Sequence, residues 1–253
     1  MKKLILCMSV AFTTAFSYNV NAKEDDNNAK KVASAAASTN KAQTIDEYIT
    51  SVYNAIDFGG KKLAYDVFKK AYTGFLNLRS AGQVSKNILS IADFSQPSTA
   101  HRLWVIDLVS KKLLINDYVA HGQGSGDLYA TKFSNQAQSH QSSLGFYITD
   151  GTYVGKHGTS LRLRGVDQGY NHSAMSRAVV IHGANYVSND AVAGMGRLGR
   201  SWGCPAVSNS LAPKFISAIK DGSVLFVYAP QKDYLSSSTW LNRACQVPNG
   251  GTL

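Results

Sequence analysis

A mainly β domain over residues 100–230, carrying one late helix and preceded by a small helical region, is the fold this sequence predicts. Three observations predict it. Short apolar runs bounded by Gly, Ser, Asn and Asp recur between His101 and Tyr228, as strands and turns do. Apolar side chains at three-and-four spacing are confined to residues 44–79 and to one segment near the end. The chain is only 17% charged but holds 21 Gly and 13 Tyr among 253 residues, which excludes a coiled coil and a disordered chain.

The elements follow in order. Lys2 and Lys3, the apolar stretch Leu4–Phe16 and the small residues around Ala22 read as a secretory signal peptide, residues 1–22. The apolar stretch is shorter than the ~20 residues of a spanning helix. Residues 23–43, rich in Lys, Asp, Asn, Ala and Ser, bury too little apolar surface to offset ordering entropy and read as a flexible leader. The region 44–99 is read as helical. Ile45, Tyr48, Ile49, Val52 and Ile56 share one face, and Leu63, Val67, Phe68, Ala71, Tyr72 and Phe75 another, with Gly59-Gly60 between. A further short helix is placed near Val84–Ile91. Strands are expected at 102–108, 112–120, 144–149, 161–164, 178–182 and 223–228, and a helix at 209–220 that Asp221-Gly222 ends. Residues 231–253 are read as a polar tail.

The net charge is +10, and losing residues 1–22 removes two Lys and no acid, leaving +8. Such a balance favours polyanionic surroundings without choosing among them. In an exported chain nucleic acid is excluded, and anionic cell wall is the expected contact, through Lys61, Lys62, Lys69 and Lys70. Only Cys204 and Cys245 remain after the signal peptide, too few for a disulfide framework. No C-x-x-C or H-E-x-x-H occurs, so neither metal nor other cofactor is expected. Cys245 is expected to be free. The sequence assigns no oligomeric state.

Two stretches carry chemistry. Val179-Val180-Ile181-His182-Gly183 reads as a buried strand that delivers a His to the rim of a sheet. Gly199-Arg200-Ser201-Trp202-Gly203-Cys204-Pro205-Ala206 sets a thiol in a tight segment between Gly and Pro. A Cys nucleophile needs a base and a group that orients the base. Backbone N–H groups of Gly203 and Cys204 are the candidate donors to an oxyanion.

IHGANYV followed by GRSWGCPAV resembles the catalytic region of murein L,D-transpeptidases, the YkuD-like cysteine transpeptidases. The resemblance runs from Arg102 to Tyr228 and includes residues 120–135, 139–149 and 155–165, with Ser142–Tyr147 where the family has a TPxGxF-like segment. It implies a β-sandwich or half-open barrel with a Cys–His cleft. Cys204 would attack the diaminopimelate carbonyl of a peptidoglycan stem peptide, and His182 would relay the proton to the departing D-Ala. The thioester would pass to a second stem's amine. Gly183 would supply the carbonyl that orients His182, and Ser201 and Gly203 would shape the nucleophile loop. Arg200, Trp202, His157, His140 and Tyr147 are the candidate substrate contacts, with Arg197 and Arg164 as alternative carboxylate anchors. The sequence departs from the commoner family form in having Trp202 before Gly203-Cys204 and Ala206 two places after the Cys.

Rival readings stay open at this level. Water as acceptor makes the same site an L,D-carboxypeptidase. A non-enzymatic wall-binding protein keeps the fold without the chemistry. A zinc peptidase would join His121 and Asp127 to His182. Residues 122–127 lack the spacing of a phosphate loop and read as a rim loop, with Asp127 and Tyr129 as further contacts. Export places the mature chain in the periplasm or cell envelope.

Overall fold

Eight strands form one curled, half-barrel sheet in the order β3-β2-β1-β8-β4-β5-β6-β7. The computed structural model describes residues 43–248, which belong to the compact unit that begins at Gln43. The signal peptide, the leader up to Ala42 and the last five residues lie outside the described residues. No helix among the described residues is long and apolar enough to cross a membrane.

Helix α1 (Ile45–Ala55) starts at a capping box. Thr44 Oγ1 accepts from the Glu47 N–H at 3.2 Å, and Glu47 Oε2 accepts from the Thr44 N–H at 2.8 Å. Its Tyr48, Ile49 and Val52 are buried against α2 (Tyr65–Ser80), which inserts Phe68, Tyr72 and Phe75 into the core as a stacked ladder. Gly74 lets α2 approach the sheet. A Cβ there would stand 1.9 Å from Phe146 Cζ. Lys69 pairs with Asp46 at 2.8 Å and Lys70 with Asp66, so half of the expected basic patch is locally neutralised.

The short helix expected near Val84–Ile91 is replaced by a strand, β1 (Ile88–Asp93). It runs antiparallel to β2 (Leu103–Asp107) and parallel to β8 (Val224–Tyr228), so the region 44–99 supplies a central strand of the sheet. Both faces of β1 are buried from Leu89 to Asp93, so no inside–outside alternation marks it, and Ser90 and Asp93 break the apolar run. β3 (Lys112–Asp117) completes a hairpin with β2, its turn held by Asp107 Oδ1 accepting from the Val109 N–H at 2.9 Å.

On the other side of β8 lie β4 (Gly145–Gly155), β5 (Gly158–Gly165), β6 (Val180–Ala184) and β7 (Ala206–Ser208), antiparallel except for the parallel β6–β7 pair. Helix α3 (Asn189–Met195) follows β6, capped by Ser188. The expected late helix is α4 (Ala212–Ile219), with Phe215, Ile216 and Ile219 inward. The stretch read as a polar tail forms α5 (Lys232–Ser237) and α6 (Thr239–Asn242). Sparse apolar residues anchor it: Tyr234 is fully buried, and Trp240 Nε1 donates to Val166 O at 2.8 Å. Asp167 accepts from Ser238 Oγ at 2.6 Å, and its carboxyl is held above the usual range, mainly by burial.

Candidate active site

β6 presents His182, and the parallel register His182↔Ala206 brings β7, with the loop before it, alongside. Two residues before that pair, Cys204 lies in the loop leading into β7, and the Val180 N–H donates to its Sγ at 3.4 Å. The Cys204 S–H points to Ala178 O at 3.7 Å. His182 and Cys204 line one cavity of about 420 Å³, together with Lys156, His157, Arg177 and Trp202.

His182 is buried, and its Nδ1 lies 2.9 Å from Gly183 O. A carbonyl only accepts, so Nδ1 carries the proton and Nε2 keeps a free lone pair. Burial, offset by the Gly183 bond, lowers the pKa of His182; His157 and Lys156 push it the same way as burial. The ring is therefore neutral at pH 7 and fit to accept a proton. A Cβ on Gly183 would meet Asn209 Oδ1 at 2.5 Å. No hydrogen bond joins Cys204 Sγ to His182 among the described residues. Transfer of the thiol proton to the ring requires the S–H to turn away from Ala178 O.

The nucleophile loop is braced from within. Ser201 Oγ donates to Cys204 O at 2.6 Å and accepts from the Gly203 N–H at 3.0 Å. Ser201 N donates to His121 O at 3.0 Å, tying the loop to the segment 120–125. Gly203 stands at φ +120°, with Gln141 O 2.8 Å from where a Cβ would be. These contacts hold the loop that carries Cys204. They correct the oxyanion part given to Gly203: its N–H is already spent on Ser201. The Cys204 N–H has no such partner among the described residues.

The expected substrate contacts divide. Trp202 is 68% exposed at the rim, and the half-buried His140 lies parallel to it at 5.0 Å between ring centroids. Lys156 Nζ stands 5.5 Å from the Trp202 ring on the hairpin side. His157, exposed at the β4–β5 turn, stacks on His182 at 4.4 Å. Arg200 lines the cleft but pairs with Asp127 at 2.7 Å and donates to Gly126 O at 2.9 Å. Arg197 also faces Asp127, at 3.7 Å, and Arg164 donates to Gln83 Oε1 at 3.1 Å. Tyr147 is a correction. It is 1% exposed, its hydroxyl donates to Ser143 O at 2.9 Å, and it is a core residue of β4 with no face to the cleft.

The zinc arrangement does not assemble. His121 is fully buried, with Nδ1 accepting from Arg102 Nη2 at 2.8 Å and Nε2 donating to Gly126 O at 3.2 Å. Burial, with the Arg102 charge next, lowers its pKa to about 4. Among the described residues no three His, Cys, Asp or Glu side chains gather as metal donors. Cys204 and Cys245 are both free. Sequence reasoning missed Lys156, Arg177 and the Val180 N–H. Lys156 was findable beside His157; a lone Arg before a strand carries no local signal.

Comparison with known proteins places these observations. Residues 60–228 match the L,D-transpeptidase catalytic domain family. No curated protein matches the chain. Among solved structures, an L,D-transpeptidase from Mycobacterium smegmatis is 16% identical, with a TM-score of 0.35 over 56% of this chain and 59% of its own. L,D-transpeptidase 3 from Mycobacterium tuberculosis is 14% identical, with a TM-score of 0.37 over 57% of this chain and 62% of its own. An L,D-transpeptidase from Stackebrandtia nassauensis is 13% identical, with a TM-score of 0.34 over 73% of this chain and 90% of its own. The chain thus spans about three fifths of the length of the two mycobacterial structures. The assignment rests on the family match, which takes in β1 through β8 and both lines of the cleft: this chain belongs to the L,D-transpeptidase catalytic domain family.

Proposed function

We propose that the protein is an exported cysteine acyltransferase acting on peptidoglycan stem peptides. One observation carries the reading: a thiol and an imidazole line the same cleft, and the imidazole is held by Gly183 O in the tautomer that accepts a proton. In the first half-reaction His182 Nε2 takes the Cys204 proton, and the sulfur bonds to the diaminopimelate carbonyl carbon. The tetrahedral oxyanion collapses, the C–N bond to D-Ala breaks, and His182 returns the proton to the departing amine. In the second, the amine of another stem attacks the thioester and gives its proton through His182 to the leaving sulfur.

Two features support this substrate class. The cleft carries Lys156, Arg177 and Arg200 and no carboxylate among its lining residues, which suits a peptide bearing free carboxylates. A second cavity of about 520 Å³ shares His157 with the first and is lined by Gly183, Thr159, Asn209, Ile216 and Lys220. It gives an acceptor amine an approach separate from the donor's. The test is the mass of the products made from purified protein and disaccharide-tetrapeptide. A cross-linked dimer with free D-Ala is expected, and a shortened stem alone would assign the site to hydrolysis. Cross-linking at the normal rate by Cys204→Ala would end the proposal. Export to the periplasm or envelope predicts a mature N-terminus at Lys23, read by sequencing the envelope-fraction protein.

A further inference from the structure

Resting on Cys204 as the nucleophile, we propose that Arg177 is a positioning residue that holds the ionised sulfur and its loop. The guanidinium is locked on both terminal nitrogens. Nη1 donates to Ser134 O at 2.8 Å and to Ser143 Oγ, and Nη2 donates to Gln141 O at 2.9 Å and to Ser139 Oγ at 3.2 Å. These bonds gather residues 134–143 behind the nucleophile loop. Nη2 also lies 3.4 Å from where a Cβ of Gly203 would stand, so the charge rests against the backbone that leads into Cys204.

The residues that follow Arg177 wrap the sulfur. Ala178 adopts φ +54°, a left-handed conformation that costs a non-glycine residue energy and persists where surroundings enforce it. That turn leaves Ala178 O 3.7 Å from Sγ and lets the Val180 N–H reach Sγ at 3.4 Å. The segment 177–180 thus puts a fixed cation in the cavity that the sulfur lines and an N–H donor on the sulfur itself. Burial pushes the Cys204 thiol up, and the Val180 N–H, Arg177 and Lys156 pull it back.

Other charged and titratable groups face the same cleft: Tyr153 from β4, Lys156 and His157 from the β4–β5 turn, His182 and Tyr186 from β6 and the residues after it, and Arg200 from the nucleophile loop. Lys156 is exposed and rests over Trp202, so solvent screens it. Arg200 is compensated by Asp127. His182 is uncharged at rest and makes no hydrogen bond to the sulfur among the described residues. Arg177 alone among them is half-buried, without an acidic partner, and immobilised by four hydrogen bonds.

The test is the pH dependence of Cys204 alkylation by iodoacetamide in the full chain, read at that residue by peptide mass mapping. Arg177→Gln is expected to raise the alkylation midpoint by about one pH unit, the usual effect of removing one nearby opposite charge. Arg177→Lys keeps the charge and is expected to stay within about 0.3 unit of the unaltered chain, while peptide transfer slows because the fork to residues 134–143 is lost. His182→Ala should abolish transfer and shift the midpoint less than Arg177→Gln does. A midpoint unmoved in Arg177→Gln, or moved more by His182→Ala, overturns the proposal, and should Arg177→Gln not fold, a midpoint in Arg177→Lys raised by a full unit does so as well. If Cys204 in the unaltered chain resists alkylation at every pH, the nucleophile reading itself fails, a result distinct from either.

Discussion

The apolar core and the loops around the nucleophile are stabilised by different means. In the core, α1 and α2 bury an aromatic ladder, Phe68, Tyr72 and Phe75, in one large apolar cluster that runs across the sheet to Ile181 of β6 and Val207 of β7. Around the nucleophile a second, separate cluster is small: Ala120, Ala184, Val187, Leu198 and Ala206. Hydrogen bonds through Ser201, Arg177 and His121 take over there. Area burial is non-directional and tolerates repacking. Hydrogen bonds fix angles, and a reacting sulfur needs angles. The contrast teaches that the shared core supplies folding energy, while the hydrogen-bonded loops above it supply site geometry.

Substitutions should therefore separate stability from rate. The largest effect is expected from Cys204→Ala and His182→Ala. Each should lower transfer by on the order of 10³-fold or more with an unchanged melting curve, because nucleophile and base act as one unit. Next, Phe75→Ala in the core should cost about 3–5 kcal/mol of stability and leave the rate per folded molecule unaltered. Denaturant melts paired with active-site titration measure both. A rate loss in folded Phe75→Ala would break the separation.

Acid should act on the loops around the nucleophile. His121 has its pKa depressed to about 4, so below its ordinary value near 6.5 the unfolded chain takes up protons that the folded chain refuses. Its contribution is full above pH 6.5, fades as the pH falls, and is exhausted near pH 4, with a ceiling of about 3 kcal/mol. His121→Gln should flatten the stability profile across that window. The depressed His182 pKa has the matching consequence for rate: the acid limb of the transfer profile should lie below pH 6.5, where the ring protonates. Ser201→Ala should slow transfer about tenfold through loss of the loop brace, with only about 1 kcal/mol of stability lost. The smallest effect is expected at the far helix end, where Thr44→Ala should cost about 1 kcal/mol and no activity.

What the sequence reveals follows the same division. RLWVIDL, the apolar start of KLLINDYVA, and SVLFVY lie on strands within two residues of where their composition places them, because apolar runs between turn residues are local signals. β1 is hidden by Ser90 and Asp93, polar residues that the sheet buries. Tyr147 is misread because both faces of β4 are covered at that point, so a polar tip does not mean an exposed one. His182 and Cys204 are legible as a pair, and His182 Nδ1 finds the carbonyl expected of Gly183. Arg177 is not legible. Its partners lie 34 to 43 positions away, and nothing in an Arg-Ala-Val stretch announces them.

Among the described residues, β8 joins the two halves of the sheet, with β1 on one side and β4 on the other. Its parallel partner β1 begins at Ile88, whereas β8 begins at Val224, so the join unites segments from opposite ends of the described chain. Such a long loop closes slowly. Without β8, the strands β1–β3 and β4–β7 share no pairing and each set keeps an open edge. The last strand in the sequence is therefore the keystone that joins the strands holding the N-terminal helices to those holding the nucleophile.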